Sequence, residues 1–285
     1  MLAKYGKLIS ANYRTLVRDK YGAEIYDRAD IDLINAWVKQ KTEGKIDRIL
    51  DKLPPDAAAV LLNAVYFKAA WVSAFVKSAT REDDFNLSSA KKVRVSMMRQ
   101  EAAFAMADRP DYSAIRLNYS QQALGMVIVL PKEVEGLETV ARQLDARELS
   151  TLFAALKSDP AKRVSLALPS FKAAFEADLA EPFQKAGMTL AFSDLADFSG
   201  MTGSSPSEGG VKIGQIKHRA VIEVSEPGTE AAAATAVVML PKRSQRKEQP
   251  TPVPFVVDRP FLFYVVDDSS GAILFQGRIV DPRQQ

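Results

Sequence analysis

The sequence predicts an α+β chain organised around a large β-sheet, and three observations predict it. Apolar residues recur at helical spacing through the first fifty positions. From Ala57 the period changes to strand-like apolar runs. The C-terminal end alternates such runs with turn residues. Helices first and strands later fit a mixed domain in which helices cover a sheet.

The elements follow in order. Leu2, Tyr5, Ile9, Tyr13, Leu16 and Val17 share one helical face, and Gly22 sits where that helix ends. Asp30 is placed to cap a second helix with Ile31, Ile34, Trp37 and Val38 on one side, and Gly44 closes it. Ala57 to Trp71 is too continuously apolar for a half-exposed strand and reads as one buried on both faces. Val93–Met106 and Ala114–Leu130 are further strand runs, Leu137–Lys157 is a helix, and Val164–Leu168 is a short strand. Glu181–Ala186 is a helical turn closed by Gly187, and 203–210 is a loop by composition. Val221–Val224, Phe261–Asp267 and Ala272–Val280 complete the set as strands.

Composition narrows the function. The chain has 285 residues, 47% of them hydrophobic, and a net charge of +3, which makes no case for nucleic acid. The run Lys242-Arg243-Ser244-Gln245-Arg246-Lys247-Glu248 holds the whole basic excess. With no cysteine, neither a disulfide framework nor a thiol nucleophile is available. No apolar run reaches the length of a membrane span, and the first residues carry no signal-peptide pattern. Cytoplasmic and extracellular settings both stay open.

Catalytic constellations are missing. His218 is the single histidine, and it lies between Lys217 and Arg219, a setting more typical of structure than of catalysis. The nucleophile elbow, the phosphate-binding glycine loops and the paired-histidine zinc helix are all absent. No metal site or cofactor site can be built from this inventory, and the chain is not expected to be an enzyme.

The segment after Gly228 is the informative one. As a helix, EAAAATAVVML has good alanine propensity. As a strand, it places Thr229, Ala231, Ala233, Thr235 and Val237 on one face, and Glu230, Ala232, Ala234 and Ala236 on the other. Side chains that small can slide between existing strands without striking the packed layer beneath, and Gly228 supplies the hinge. PKRSQRKEQPTPVP follows, rich in Lys, Arg and Pro and poor in apolar anchors, so it is expected to be exposed and cleavable. An insertable strand tethered to a cleavage site is a spring.

These residues resemble the serpins, the serine protease inhibitor superfamily. Glu226-Pro227-Gly228-Thr229-Glu230-Ala231-Ala232-Ala233-Ala234-Thr235 is similar to the family's inhibitory hinge. Phe255 to Val265 is similar to its C-terminal signature, and Asn63 to Trp71 to the third strand of its main sheet. LPSFKAAFEADL, GMTLAFSDLADFSG and GAILFQGRIVDP fall in family order, so the likeness runs from end to end.

The resemblance implies a fold of three sheets, a large mixed or antiparallel one plus smaller ones, with surrounding helices and an exposed reactive loop over 226–254. It implies one domain over 1–285. It implies a suicide substrate: a serine protease attacks the loop, and the cleaved loop inserts into the main sheet before the acyl-enzyme is hydrolysed. About thirteen residues, Thr229 to Pro241, would span about 43 Å as one added strand.

Family loop length puts the attacked residue at Lys242, with Arg243 after the bond, which implies a trypsin-like partner. Arg243 followed by Ser244 is the runner-up, and the long stretch to Phe255 keeps Arg246 and Lys247 in play. Asn63 and His218 map to a shutter beneath the sheet, and Trp71 to its top. The other expectations are a monomer, with loop–sheet polymerisation open to it, and no cofactor, nucleic acid or membrane as partner. A non-inhibitory binding protein or chaperone on the same scaffold, or an inactive fragment, is the alternative.

Three departures from the family pattern stand out. Met1 aligns within its fifth helix, so the preceding elements have no counterpart here; this favours a piece of a longer chain, or a misplaced start, over a degenerate version. Pro227 lies in the hinge, where it fixes φ and removes a donor. Ser170 stands where many relatives carry a basic residue facing the position of Glu226, so that ion pair cannot form.

Overall fold

The computed structural model describes residues 2–3, 9–26, 30–52, 59–121, 123–203, 211–229 and 251–284. β1 (Leu2–Ala3) precedes α1 (Ala11–Tyr21). The Ser10 hydroxyl accepts from the Tyr13 amide at 3.3 Å, and Gly22 ends the helix at φ 59°. The helical face expected to run back to Leu2 does not, because Leu2 and Ala3 pair with a strand instead. α2 (Ile31–Lys41) begins at Asp30, whose carboxylate accepts from the Asp32 and Leu33 amides, both at 3.1 Å. Its last carbonyls bond into a turn that includes Gly44, at φ 79°.

β2 (Ala59–Phe67) and β3 (Ala69–Ala70) follow, then β4 (Arg81–Ser88) and β5 (Lys91–Asp108). The single run expected over Ala114–Leu130 is two strands, β6 (Tyr112–Asn118) and β7 (Leu124–Pro131), folded back at a turn where Ala123 takes φ 75°. The single helix expected over Leu137–Lys157 is likewise two, α3 (Leu137–Gln143) and α4 (Ala146–Ser158). The break is a cap: the Asp145 carboxylate accepts from the Glu148 amide at 2.8 Å. β8 (Lys162–Pro169), β9 (Phe171–Asp178), α5 (Ala180–Lys185), α6 (Ser199–Thr202) and β10 (Ile213–Val224) come next. β11 (Gly228–Thr229), β12 (Val253–Val256), β13 (Phe261–Asp267) and β14 (Ile273–Ile279) complete the order.

The chain divides into two compact units, 1–66 with 174–221, and 67–173 with 222–285. The first holds a four-stranded sheet in the order β1-β2-β10-β9. One face of β2 presents Val60, Leu62, Ala64 and Tyr66 to Ile34, Val38, Ile46, Ile49 and Leu50. The alternate residues Leu61 and Val65 are half-buried and Asn63 is exposed, so the expected burial on both faces is not found. No core cluster of the described residues includes those three side chains.

The second unit is built on eight strands in the order β12-β8-β5-β6-β7-β13-β14, with β4 on β5. Here burial on both faces is real. Phe261, Phe263 and Val265 of β13 enter one apolar cluster, whereas Leu262, Tyr264 and Val266 enter another with Val140, Leu152 and Leu156 of α3 and α4. β7 splits the same way, Met126 and Ile128 against Val127 and Val129. Strands covered on both sides need apolar residues at every position, which is why they read as unbroken runs. Within this sheet Arg116 is 5% exposed, with its guanidinium 2.8 Å from both Asp268 and Asn118.

Candidate functional hinge

The candidate hinge begins where β10 ends. Val224 is buried, and the next four residues reverse the chain: the Ser225 amide donates to the Gly228 carbonyl at 2.9 Å and the Gly228 amide returns to Ser225 at 3.1 Å. The reversal delivers Gly228 and Thr229 onto β3 as an antiparallel rung, Gly228 opposite Ala70 and Thr229 opposite Ala69. Only glycine fits the first place. Its φ is +140°, and a Cβ there would lie 2.3 Å from the Ala69 carbonyl oxygen and 2.7 Å from Ala70 Cα.

Thr229, the first residue of the small-side-chain face, has no exposure. Its hydroxyl is 2.9 Å from the Tyr119 hydroxyl. Tyr119 stacks on Trp71, with ring centres 4.4 Å apart and planes at 13°, and meets Phe67 edge-on at 5.0 Å. Burial pushes the Tyr119 phenol well above its ordinary range, with the Thr229 hydrogen bond acting the other way, so the ring stays neutral.

The turn is held from its outer side as well. The Trp71 indole donates to the Ser225 carbonyl at 3.1 Å, and the Trp71 amide to the Pro227 carbonyl at 3.1 Å. Pro227 therefore contributes its acceptor, and its missing donor is not called on by these bonds. The Phe75 amide donates to the Glu226 carbonyl at 2.9 Å. The Glu226 carboxylate accepts from the Thr80 hydroxyl at 2.9 Å, a neutral partner where the sequence left an ion pair unfilled.

The structure thus brings Trp71, Glu226, Gly228 and Thr229 together and adds Tyr119, Thr80, Ser225 and Phe75, which the sequence reading had not singled out. Asn63 and His218 are not joined: no hydrogen bond links them, and His218 meets the Phe175 ring at 6.1 Å. Glu230, Ala231, Ala232, Ala233, Ala234 and Thr235 lie outside the described residues, as do Lys242, Arg243, Ser244, Arg246 and Lys247. Among the described residues no group of three or more His, Asp or Glu could hold a metal, and no helix is long and apolar enough to cross a membrane. The arrangement offers a glycine-hinged strand end seated in an aromatic pocket.

Comparison with known proteins identifies the family. Residues 3–282 match the family described as Serpin (serine protease inhibitor). Iripin-2 of Ixodes ricinus is 33% identical over 278 residues, covering 94% of this chain and 67% of that protein. Among solved structures, human thyroxine-binding globulin with its ligand superposes at a TM-score of 0.84 with 28% identity, over 99% of this chain and 74% of that one. Serpin48 of Tenebrio molitor superposes at 0.77 with 31% identity, over 96% and 72%. The chain spans 56% to 72% of the length of the first curated relatives it matches. With a family match over nearly its whole length and solved neighbours at high superposition, the chain belongs to the serpin family.

Proposed function

We propose that this serpin inhibits trypsin-like serine proteases as a suicide substrate and is not itself an enzyme. The observation that carries the reading is Thr229: the first inward residue of the small-residue hinge is already buried in an antiparallel rung beside β3. In the proposed sequence the protease serine attacks the carbonyl carbon of Lys242, the peptide bond to Arg243 breaks, and the new amine leaves with the C-terminal fragment. The acyl-enzyme ester remains on Lys242. The freed strand then adds to the sheet, each added amide finding a partner at about 1 kcal/mol, and carries the protease with it before water can hydrolyse the ester.

β2 and β10, hydrogen-bonded neighbours in the four-stranded sheet, are the strands we take to part. Asn63 and His218 stay in this proposal as the residues that gate their separation. The monomer is the acting species, and addition of one molecule's loop to another's sheet is its route to polymers.

The test is incubation with trypsin followed by denaturing electrophoresis and mass spectrometry. A complex that survives boiling, with a released peptide beginning at Arg243, is the expected result. Thr229→Arg should abolish the complex and leave clean cleavage, because a guanidinium cannot be buried at that position without a partner. A complex that persists undiminished in that variant removes loop insertion from the mechanism.

The neighbour solved with thyroxine, together with Pro227 in the hinge, supports a second reading, a non-inhibitory binding protein on the same scaffold. Cleavage of the unaltered chain without any complex would favour it.

A further inference from the structure

We infer that Tyr119 is a positioning residue for the hinge: its buried hydroxyl, paired with that of Thr229, fixes the register in which the loop strand starts. Three observations meet at this contact. Both hydroxyls are sealed from water, Tyr119 at 2% exposure and Thr229 at zero, and each is the other's side-chain partner at 2.9 Å. The Tyr119 ring is fixed independently of the loop. Its residue bridges to Trp71 along the backbone, its amide donates to the Leu124 carbonyl at 3.0 Å, and its ring is stacked on Trp71. Trp71 in turn grips the turn through the Ser225 carbonyl. A rigid donor–acceptor therefore waits at one point beside β3, and only a hydroxyl-bearing residue placed opposite Ala69 satisfies it.

Register in a strand is otherwise weakly specified when side chains are small. A run of alanines would pair almost as well one or two residues out of step, and a one-residue slip would turn the small face outward. The Ser225–Gly228 turn and the close approach at Gly228 already disfavour such a slip, and pairing Thr229 with Tyr119 adds a side-chain constraint at the neighbouring position. Slippage would leave two buried hydroxyls without partners, which is costly because neither is hydrated in that state. The seat thus selects for a hydroxyl at residue 229, where size alone would admit alanine or valine.

The inference rests on the inhibitory reading for its consequence, but the contact can be tested without a protease. Backbone hydrogen exchange of 69–71 and 228–229 would be measured on the full chain as Tyr119→Phe, Thr229→Val and the pair together. Each single change strands one buried hydroxyl and should raise exchange of these amides about tenfold, equivalent to about 1.4 kcal/mol. The double change makes both partners apolar and should return exchange to within about threefold of the parent. Thr229→Ser, which keeps the hydroxyl, should exchange like the parent.

Single effects that multiply in the double variant, or no effect at all, would overturn the assignment. If Tyr119→Phe fails to fold, the comparison of Thr229→Val with Thr229→Ser decides alone. In parallel with trypsin, the singles should shift the outcome from trapped complex toward cleaved chain, and the double should restore the complex. Absence of any complex in the parent chain sinks the inhibitory reading and leaves the exchange result standing. A complex in the parent with uncoupled exchange sinks the role of Tyr119 alone.

Discussion

Replacing Gly228 with alanine pits two sets of forces against each other, and the structure gives both magnitudes. The rung is held by the Thr229–Tyr119 hydroxyl pair, the Trp71 amide on Pro227 and the Trp71 indole on Ser225. At about 1 kcal/mol each, these favour the seated hinge by about 3 kcal/mol. Alanine at φ +140° is strained by about 1–3 kcal/mol before any contact is considered. Its methyl would then sit 2.3 Å from the Ala69 carbonyl oxygen, 2.7 Å from Ala70 Cα and 2.9 Å from the Trp71 amide nitrogen. All three are backbone atoms that no rotamer change can move. Strain plus overlap exceeds what the rung supplies, so the rung should open and the protein stay folded. Hydrogen exchange of 69–71 and 228–229 should rise to that of a free strand edge, and under the proposed inhibitory mechanism the fraction of chain trapped with trypsin should fall at least tenfold. Gly187→Ala is the control, with φ +103° but nothing within 4 Å of its Cβ. It should cost about 1 kcal/mol of stability and leave both readouts alone. Unchanged protection of 69–71 in Gly228→Ala would refute the reasoning, because the close approach would then have relaxed at no cost.

Other outcomes follow from the rest of the structure. Asp268→Ala leaves the Arg116 guanidinium buried with Asn118 as its remaining partner and one nitrogen already unpaired among the described residues. Because Asp268 is partly exposed, the expected loss is about 2–4 kcal/mol, read as a fall of about 5–10 °C in apparent Tm at a fixed scan rate. Arg116→Met with Asp268→Leu should recover most of it. Asn35→Ala removes one side chain that serves the Ile49 and Leu50 amides and the Leu50 carbonyl, at 2.9, 3.2 and 2.9 Å. It should destabilise the first unit by about 2–4 kcal/mol in denaturant titration. Glu24 is held down at about 2 by the Tyr26 hydroxyl and Lys41, against an ordinary 4.5. Its contribution is therefore present above about pH 4.5 and is lost as pH falls toward 2. Tyr26→Phe should shrink that acid-side loss, measured as stability between pH 5 and 2.

What the sequence disclosed depended on whether the cause was local. Gly22 and Asp30 act within a few residues of themselves, and both helix ends were legible. Phe261–Asp267 was legible because a strand covered on both sides has no polar position to confuse the reading. The break between α3 and α4 was also written locally, as Asp145 three residues before Glu148, but a continuous apolar period across it concealed the cap. β9 was hidden for another reason. Its Ala173, Ala174 and Ala177 give no strong period, and Phe175 is exposed, so FKAAFEAD carries little strand signal on its own. At the hinge, the alternation of small residues pointed to Thr229 as the first inward position. Nothing local marked Tyr119, 110 residues earlier, or Thr80, 146 residues before Glu226. Those partners are defined by sheet register, which no single segment contains. The one-sided exposure of Asn63 was missed because an apolar run shows that a strand can be covered, not which of its faces is.

The four-residue reversal between β10 and β11 has a kinetic meaning. Joining a free strand to a sheet ordinarily requires two distant pieces of chain to meet, and that encounter is entropically the slow part. Here the encounter has already been made, since Ser225 and Gly228 bond to each other and Gly228 and Thr229 lie on β3. Each residue that follows would lengthen an existing hairpin by one step, as a helix grows beyond its nucleus. Under the proposed mechanism such growth would have no concentration dependence and no search. Its speed would be set by how fast the strands ahead separate, so a race against hydrolysis of an acyl-enzyme would start with the first step complete.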